Sequence, residues 1–388
     1  MKKLIAIFAV LLFAAPAMAA DWSFYGSQRM ATWYTDRDYK DTSPIPGTDD
    51  DQATQWYFQN NSRLGAKVKA DKVTGQIELT LNLSGNASAG DGGDTPVGTR
   101  RAFGVWKFSD NASLKIGKDY SPVTDFISNQ WFNADADLLG VGNFYGRRPA
   151  GLTLILGEFE IAALTPSYGG DVGTTATGIY SVNAAGTGVN TVTAGDPDSY
   201  IPRFEASYNL KLGPGYIKPF GGFQYYTVDS TNGVGITDDI DIWSYVVGVS
   251  TSWNIGAFSI GGQVSYGMNQ GNVQGWSAGQ NRYAASTILK ADGSDVDEAY
   301  TLQAVIVPGL KFSDTLRFEA GFGYRMDDPQ ANGAEKDEQW SAYLQAMITM
   351  APGVFLCPEV GYIDFMDDAF NNDEGSQWYA GAKWQIDF

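Results

Sequence analysis

Apolar and polar residues alternate in this chain over runs of about ten positions. The breaks between those runs go short, long, short, long. The last run is the clearest. Trp378, Ala380, Ala382, Trp384, Ile386 and Phe388 fall on one side, and Gln377, Tyr379, Gly381, Lys383, Gln385 and Asp387 on the other. A strand sends successive side chains to opposite faces, so this pattern separates an apolar environment from a wet one.

The chain starts differently. Lys2 and Lys3 precede the apolar run Leu4 to Phe13, then Pro16 and the small-residue site Ala17-Met18-Ala19. Residues 1–19 are expected to be a secretory signal cut after Ala19. The apolar run is far below the roughly 20 residues a spanning helix needs, and no later uncharged stretch reaches that length. Residues 20–388 are expected to form a single domain.

Composition narrows the chemistry. A formal net charge of −18 argues against nucleic-acid binding, which needs basic patches. The 46 glycines and 14 % aromatics suit tight turns and interfacial rings. The single cysteine, Cys357, rules out an internal disulfide and reads as a small residue within a strand. The absence of histidine removes Ser-His-Asp and Cys-His catalysis, most zinc sites and imidazole pH switching. No spacing among Ser, Lys, Asp and Tyr singles out a nucleophile with a base. The expectation is a protein that is not an enzyme, with no metal and no cofactor.

Sixteen strands are predicted. The first half gives Trp22 to Tyr34, Gln55 to Ala70, Gly75 to Asn86, Arg100 to Ser109, Ala112 to Asp119, Phe144 to Leu156, and Phe159 to Pro166. The second half gives Pro202 to Leu210, Tyr216 to Val228, Asp241 to Asn254, Ala257 to Asn269, Asp297 to Val307, Thr315 to Asp327, Glu338 to Met350, Val354 to Phe365, and Ser376 to Phe388. In the third strand Ile77, Leu79, Leu81 and Leu83 oppose Gln76, Glu78, Thr80 and Asn82. A soluble sandwich would also alternate. Repetition over sixteen segments of one sheet favours lipid outside and water inside.

Seven connections are short and carry the Gly, Pro, Asn and Asp that tight turns need, among them Asp110-Asn111, Gly157-Glu158 and Pro308 to Asp314. Eight are long, including Thr35 to Thr54, Tyr120 to Asn143, Ser167 to Ile201 and Gln270 to Val296. The fold class is therefore all-β: a 16-stranded antiparallel transmembrane barrel with short periplasmic turns and long outer loops. An even strand count brings the first and last strands together, and closure is required because an open edge leaves backbone groups unpaired in lipid. Sixteen strands leave an aqueous bore, whereas eight would be filled by side chains.

The segment Ala112-Ser-Leu-Lys-Ile-Gly-Lys-Asp-Tyr-Ser-Pro122 resembles a hallmark of the general bacterial porins, in which a Gly-basic step and a following Tyr and Ser-Pro run into the third outer loop. Thr99-Arg100-Arg101-Ala102-Phe103-Gly104 is similar to the family's fourth strand, and the terminal phenylalanine matches as well. The resemblance covers the mature chain in layout and is motif-specific around Arg100 to Pro122 and at the C-terminus. It implies a homotrimeric outer-membrane channel whose third loop, here about residues 120–143, folds inward and narrows the bore. It further implies that acidic loop residues Asp125, Asp135 and Asp137 face basic wall residues Arg29, Arg63, Arg100 and Arg147 across a constriction. Parity alone places Arg63 with Tyr57, Gln59 and Asn61, and Arg147 with Thr153, on the lumenal face. Strand 4 alternates poorly, so either Arg100 or Arg101 could point inward.

Several features stand apart from that resemblance. Pro149-Ala150-Gly151 interrupts strand 6, because proline is poorly tolerated inside a sheet. Acidic clusters at Asp49-Asp50-Asp51, Asp295 to Glu298, Asp327-Asp328 and Asp367-Asp368 read as a solvated rim, the sharper alternative being divalent-cation bridging to lipopolysaccharide. Trp22, Phe24, Trp33, Tyr34, Trp56, Trp243, Tyr245, Trp253, Trp340, Trp378 and Trp384 read as an outward girdle at the headgroup level. A ring stripe inside the bore would instead mark a sugar channel.

The expectation is passive diffusion of small hydrophilic solutes and ions through the outer membrane, with lipids and lipopolysaccharide as surroundings. The acidic excess suggests mild cation preference. The alternatives are a channel selective for a sugar or a particular ion, and a plugged barrel acting as adhesin or structural protein.

Overall fold

The computed structural model describes residues 20–39, 51–81, 97–168, 179–183, 185–191, 196–230, 236–273, 275 and 282–388. The expected signal at 1–19, the end of the expected third strand at 82–86, and Asp49 and Asp50 lie outside the described residues.

Sixteen strands form one closed sheet. They are β1 (Asp21–Tyr39), β2 (Asp51–Phe58, continued as Arg63–Ala70), β3 (Val73–Leu81), β4 (Val97–Lys107), β5 (Ala112–Lys118), β6 (Ala150–Leu156), β7 (Phe159–Leu164) and β8 (Arg203–Tyr208, continued as Leu210–Leu212). Then come β9 (Gly215–Val228), β10 (Ile240–Ile255), β11 (Phe258–Met268), β12 (Ala299–Lys311), β13 (Leu316–Pro329), β14 (Asp337–Ala351), β15 (Val354–Asp367) and β16 (Asp373–Asp387). Each strand pairs antiparallel with its sequence neighbours. The thirteen-residue ladder from Ser27↔Asp387 to Tyr39↔Gly375 joins β1 to β16 and closes the barrel. No edge is left in the sheet, which is what hydrocarbon demands of a spanning β structure.

The two faces follow the alternation. On β16, Trp378 and Trp384 are 41 % and 50 % exposed, whereas Tyr379 and Lys383 are 0 % exposed. Trp56, Leu64, Ile77, Trp106, Ile116, Leu152, Phe204, Trp243, Val264, Phe322 and Leu344 continue the apolar outside around the wall. Glu78, Thr153, Glu205, Gln224, Gln263, Gln303, Gln339 and Glu359 line the inside.

The structure corrects several boundaries. β2 breaks at residues 59–62, where Asn60 and Asn61 form a turn. Strand 6 was expected from Phe144, but β6 begins only at Ala150, because Pro149 has no N–H to offer the ladder. The third loop is correspondingly longer, running from Asp119 to Pro149. β12 passes through the expected turn at Pro308 and ends at Lys311. Its ladder to β13 is interrupted between Ile306 and Gly309, around that proline.

Outer-loop segments build a small second sheet. Ile179–Val182 pairs with Val189–Thr191 and, in parallel, with Thr287–Leu289, which pairs with Val296–Asp297. Ile179, Leu289 and Val296 bury an apolar cluster against Tyr226 and Val228 of β9 and Ile240 and Ile242 of β10. That packing fixes these segments to the inner wall near the outer mouth.

Candidate functional site

The third loop leaves β5 through Gly117, whose φ of 127° lies in the left-handed region. A side chain there would meet the Ala102 carbonyl oxygen of the adjacent strand, so only glycine fits the step. The loop then runs along the lumenal face of the wall. Tyr216 donates to Asp125 Oδ2 (2.9 Å) and Lys218 donates to the Thr124 carbonyl (2.9 Å), both from β9. Farther on, Glu319 of β13 accepts the Asn129 backbone N–H (3.0 Å) and side-chain amide (2.8 Å). Glu359 of β15 accepts the backbone N–H groups of Trp131 (2.6 Å) and Phe132 (3.1 Å).

The loop reaches β1 and β2 at residues 132–135. Phe132 stacks on Tyr379 with centroids 3.7 Å apart and meets Trp33 edge-on at 5.4 Å. Gln59 and Asn61, from the break in β2, donate to the carbonyls of Asn133 (2.6 Å) and Ala134 (3.0 Å). Asp135 forms an ion pair with Arg29 of β1 and another with Lys383 of β16 (3.1 Å). The loop then turns back through a run of left-handed residues, Asn133, Asp135, Asp137 and Leu138. Gly142, at φ 105°, lies against Ala304 and Gly323 of β12 and β13. The loop thus covers the inner wall from β9 around to β2.

The wall from β2 to β6 carries a different surface. Glu78 of β3 holds Arg100 Nε (2.9 Å), lies 3.8 Å from Arg63 Nη1 and accepts the Tyr25 hydroxyl (2.9 Å). Asp119 holds Arg101 Nε (2.6 Å) and Lys115 (3.0 Å). Burial acts to raise the Asp119 carboxyl, and Arg101 and Lys115 more than reverse that, leaving it below the usual carboxylate range. Tyr120 sits among these cations. It accepts from Arg100 (3.3 Å) and Arg148 (3.1 Å), and the Arg101 and Arg148 guanidiniums lie 5.2 and 5.1 Å from its ring centre.

A β-bulge resolves the question of Arg100 and Arg101. The β3–β4 register passes from Glu78↔Arg101 to Leu79↔Thr99, so Arg100 has no partner of its own. The extra residue reverses the parity of β4 at that point, and both arginines bond lumenal carboxylates. It also explains why this strand alternates poorly.

Of the expected site residues, Arg29 and Asp135 meet directly, and Arg63 and Arg100 converge on Glu78. Asp125 meets Tyr216 and no arginine is paired with it among the described contacts. Arg147 lies in the loop at φ 60°, two residues before Pro149, and not on strand 6. Asp137 lies beside Asp135. Burial first, then the Asp135 charge, raises its carboxyl well above the usual range. Residues that sequence reasoning missed include Glu78, Glu319, Glu359, Lys115 and Lys383. Each stands at a polar position of an alternating strand, and that parity was the available signal.

Two further expectations are corrected. Trp33 is 1 % exposed on the lumenal face, where it seats Phe132, so it is no part of an outward girdle. Asp327 is buried against Arg325 (2.5 Å) and Asp368 is buried capping the Asn372 turn, so neither belongs to a solvated rim.

A closed sixteen-strand wall, apolar outside and polar inside, with a loop folded along its lumen, defines the architecture. The fold is that of the outer-membrane porins. The outer membrane channel DcaP of Acinetobacter baumannii superposes with a TM-score of 0.68 at 16 % identity, over 95 % of this chain and 97 % of that one. The anion-selective porin from Comamonas acidovorans gives a TM-score of 0.56 at 12 % identity, over 95 % of this chain and 100 % of that one. OmpF from Salmonella typhi, solved in complex with daunomycin, gives a TM-score of 0.56 at 14 % identity, over 94 % and 97 %. No protein-family model matches the sequence, and no curated protein matches it. At these identities the porin likeness rests on backbone architecture, and a bacterial outer-membrane location follows from that architecture.

Proposed function

We propose that this chain forms a water-filled channel for passive diffusion of small hydrophilic solutes and ions. The observation that carries the reading is the placement of the third loop. It is held to the wall from β9 to β2 by Glu319, Glu359, Gln59 and Asn61, which leaves the charged wall of β2 to β6 facing it across the bore. Charged side chains at such a gap order water and ions and set ion preference. Solutes of low polarity must break that order to pass. No covalent or proton-transfer step is part of the reading. It includes export with loss of residues 1–19, assembly as a homotrimer, and lipopolysaccharide around the outer rim.

Two readings of ion preference compete. The net charge of −18 favours cations. On the side facing the folded part of the loop, however, Arg63, Arg100, Arg101 and Lys115 of the wall and Arg148 from the loop's last residues stand, among the described residues, with Glu78 and Asp119. Opposite, Asp135 is already paired with Arg29 and Lys383. Selectivity follows the local field at the narrowest section more than net charge, so we favour a mild anion preference.

Reconstitution in planar bilayers tests both parts. Stepwise conductance in KCl supports the channel, and its absence indicates a plugged barrel. A reversal potential of anion-selective sign across a KCl gradient supports the local-field reading, and the opposite sign returns the preference to cations. Block by one particular sugar would indicate a selective channel.

A further inference from the structure

The barrel wall is lowest at β5 to β8. Those four strands have seven, seven, six and six residues, with β8 continued by three more, whereas β13 to β16 have 14 or 15 each. A cavity of about 480 Å³ opens in this notch, between the outer ends of the short strands and the last residues of the third loop. Its lining includes Lys118, Arg147, Arg148 and Arg203, with Tyr145 and Thr165. In a chain of net charge −18, no carboxylate is among the described residues lining this cavity.

The four cations come from three separate elements. Lys118 ends β5, Arg147 and Arg148 precede Pro149, and Arg203 begins β8. Glu205, the next residue on the same face of β8, lies 3.3 Å from Arg203 Nε and offsets part of its charge from below. Arg148 is held by rings. Its guanidinium lies 5.1 Å from the Tyr120 ring centre and 6.0 Å from that of Tyr145, and it donates to the Tyr120 hydroxyl at 3.1 Å. A guanidinium oriented by aromatic faces keeps its charge for a solute, and its planar fork suits carboxylate or phosphate oxygens. Phe126 packs against both tyrosines, with centroids at 5.1 and 5.8 Å, which stiffens that side.

We propose that this cavity is an anion-binding station on the outer side of the constriction. It takes small solutes carrying two or more oxyanion groups, the chemistry shared by phosphate esters and polycarboxylates. Cations on several sides reward a solute that engages two of them at once, and a single oxyanion engages one. The volume is within the range of about 300–1,000 Å³ usual for small-molecule sites. The inference rests on the channel reading above and adds a ligand class to it.

The test is block of single-channel KCl current by pyrophosphate, by citrate and by acetate, added from the outer-loop side. Pyrophosphate or citrate should interrupt the current in the wild type at concentrations where acetate does not. Lys118→Gln with Arg148→Gln should raise the half-blocking concentration about tenfold or more, corresponding to a loss of about 1.4 kcal/mol per factor of ten. Thr165→Glu, at an exposed position on the rim, should do the same without removing any cation, which keeps the test open should the double variant fail to fold. Lys290→Gln, at an outer-loop residue that is not among those lining the cavity, should leave block unchanged. Block by pyrophosphate alone assigns phosphate chemistry, and block by citrate alone assigns carboxylate chemistry. Conductance steps without block by either, equal block by acetate, or block unaltered by Thr165→Glu would overturn the station while leaving the channel standing. Absence of any steps would instead sink the channel reading itself.

Discussion

Glu359 and Trp131 stand 228 residues apart in sequence, yet the Glu359 carboxylate accepts the Trp131 backbone N–H at 2.6 Å. Its other oxygen accepts the Phe132 N–H (3.1 Å) and the Tyr379 hydroxyl (2.9 Å). One wall side chain thus satisfies two backbone donors of the third loop. A hydrogen bond contributes about 0.5–1.5 kcal/mol net, and a buried donor left without a partner costs about 1–3 kcal/mol more. Glu359→Ala is expected to free this part of the loop and produce noisy, flickering open-channel current. Glu359→Gln keeps an acceptor and should fall between that variant and the wild type. Current traces at fixed voltage decide it, and quiet Glu359→Ala traces would show that the latch is not what holds the loop.

Asp135 is the carboxylate shared by Arg29 and Lys383, and the Lys383 side chain is 0 % exposed. The Lys383 ammonium also lies 3.3 Å from the Trp131 ring centre. Removing the carboxylate leaves a buried cation without its ion-pair partner, beside the Trp131 ring. Breaking one member of a buried pair costs about 3–5 kcal/mol. Asp135→Asn should therefore lower thermal stability, read as the temperature at which the folded band is lost on a gel. Adding Lys383→Met should restore part of the loss. Equal melting of the single variant and the wild type would remove Asp135 from the structural account.

Arg100 owes its lumenal position to the bulge opposite Glu78. Arg100→Gln removes a wall cation and leaves Glu78 to Arg63, which stands farther away at 3.8 Å. The reversal potential across a KCl gradient should move toward cation selectivity. Arg101→Gln should move it the same way, because Arg101 bonds Asp119 on the same wall. If only one of the two variants shifts the potential, the bulge does not present both side chains to the bore.

These relationships mark how far the sequence could be read. The outward Trp384 and inward Lys383 were legible because the strand period is two and nothing interrupts β16. The layout of sixteen strands was legible for the same reason. Arg100 and Arg101 were not, because one extra residue in β4 reverses parity and leaves no local trace beyond poor alternation. Parity cannot place Arg147, because the strand begins only at Ala150, beyond Pro149. The porin resemblance sets the loop's acidic residues against wall arginines, which holds for Asp135 with Arg29. Along β13 to β15 the polarity is the reverse, with wall carboxylates accepting loop N–H groups. Backbone donors have no residue signature, so contacts of that kind cannot be found from side-chain patterns. Residue type alone points Trp33 to an outward girdle, whereas its parity with Arg29 points it inward, where it lies.

Gly142 bears on how closely the loop is seated. Its φ is 105°, and an added Cβ would meet the Ala304 carbonyl oxygen of β12 and the backbone of Gly323 on β13. Gly142→Ala combines left-handed strain with overpacking, which by itself costs about 1–3 kcal/mol. The barrel ladder does not pass through this residue, so the damage should fall on the loop. The variant is expected to fold and to show altered conductance with only a modest fall in melting temperature. Unchanged conductance would mean that the returning half of the loop does not shape the bore.

Asp137 links this loop to pH. Burial, Asp135 and Glu319 raise its carboxyl above the ordinary value, with Lys383 and Arg29 acting in the opposite direction. Its folded-state pKa therefore exceeds the unfolded value of about 3.9. The folded chain holds this proton more tightly than the unfolded chain does. The stability contribution is fully present below about pH 4 and is lost as pH rises through the folded-state pKa. Asp137→Asn removes the ionisation and keeps nearly the same shape. It should flatten the dependence of stability on pH above about 4, and the variant should be the more stable protein at the upper end of that window. Urea unfolding in detergent at several pH values measures this directly. Parallel curves for the variant and the wild type would show that the loop carries no such titration, and the pH response would then have to come from the wall.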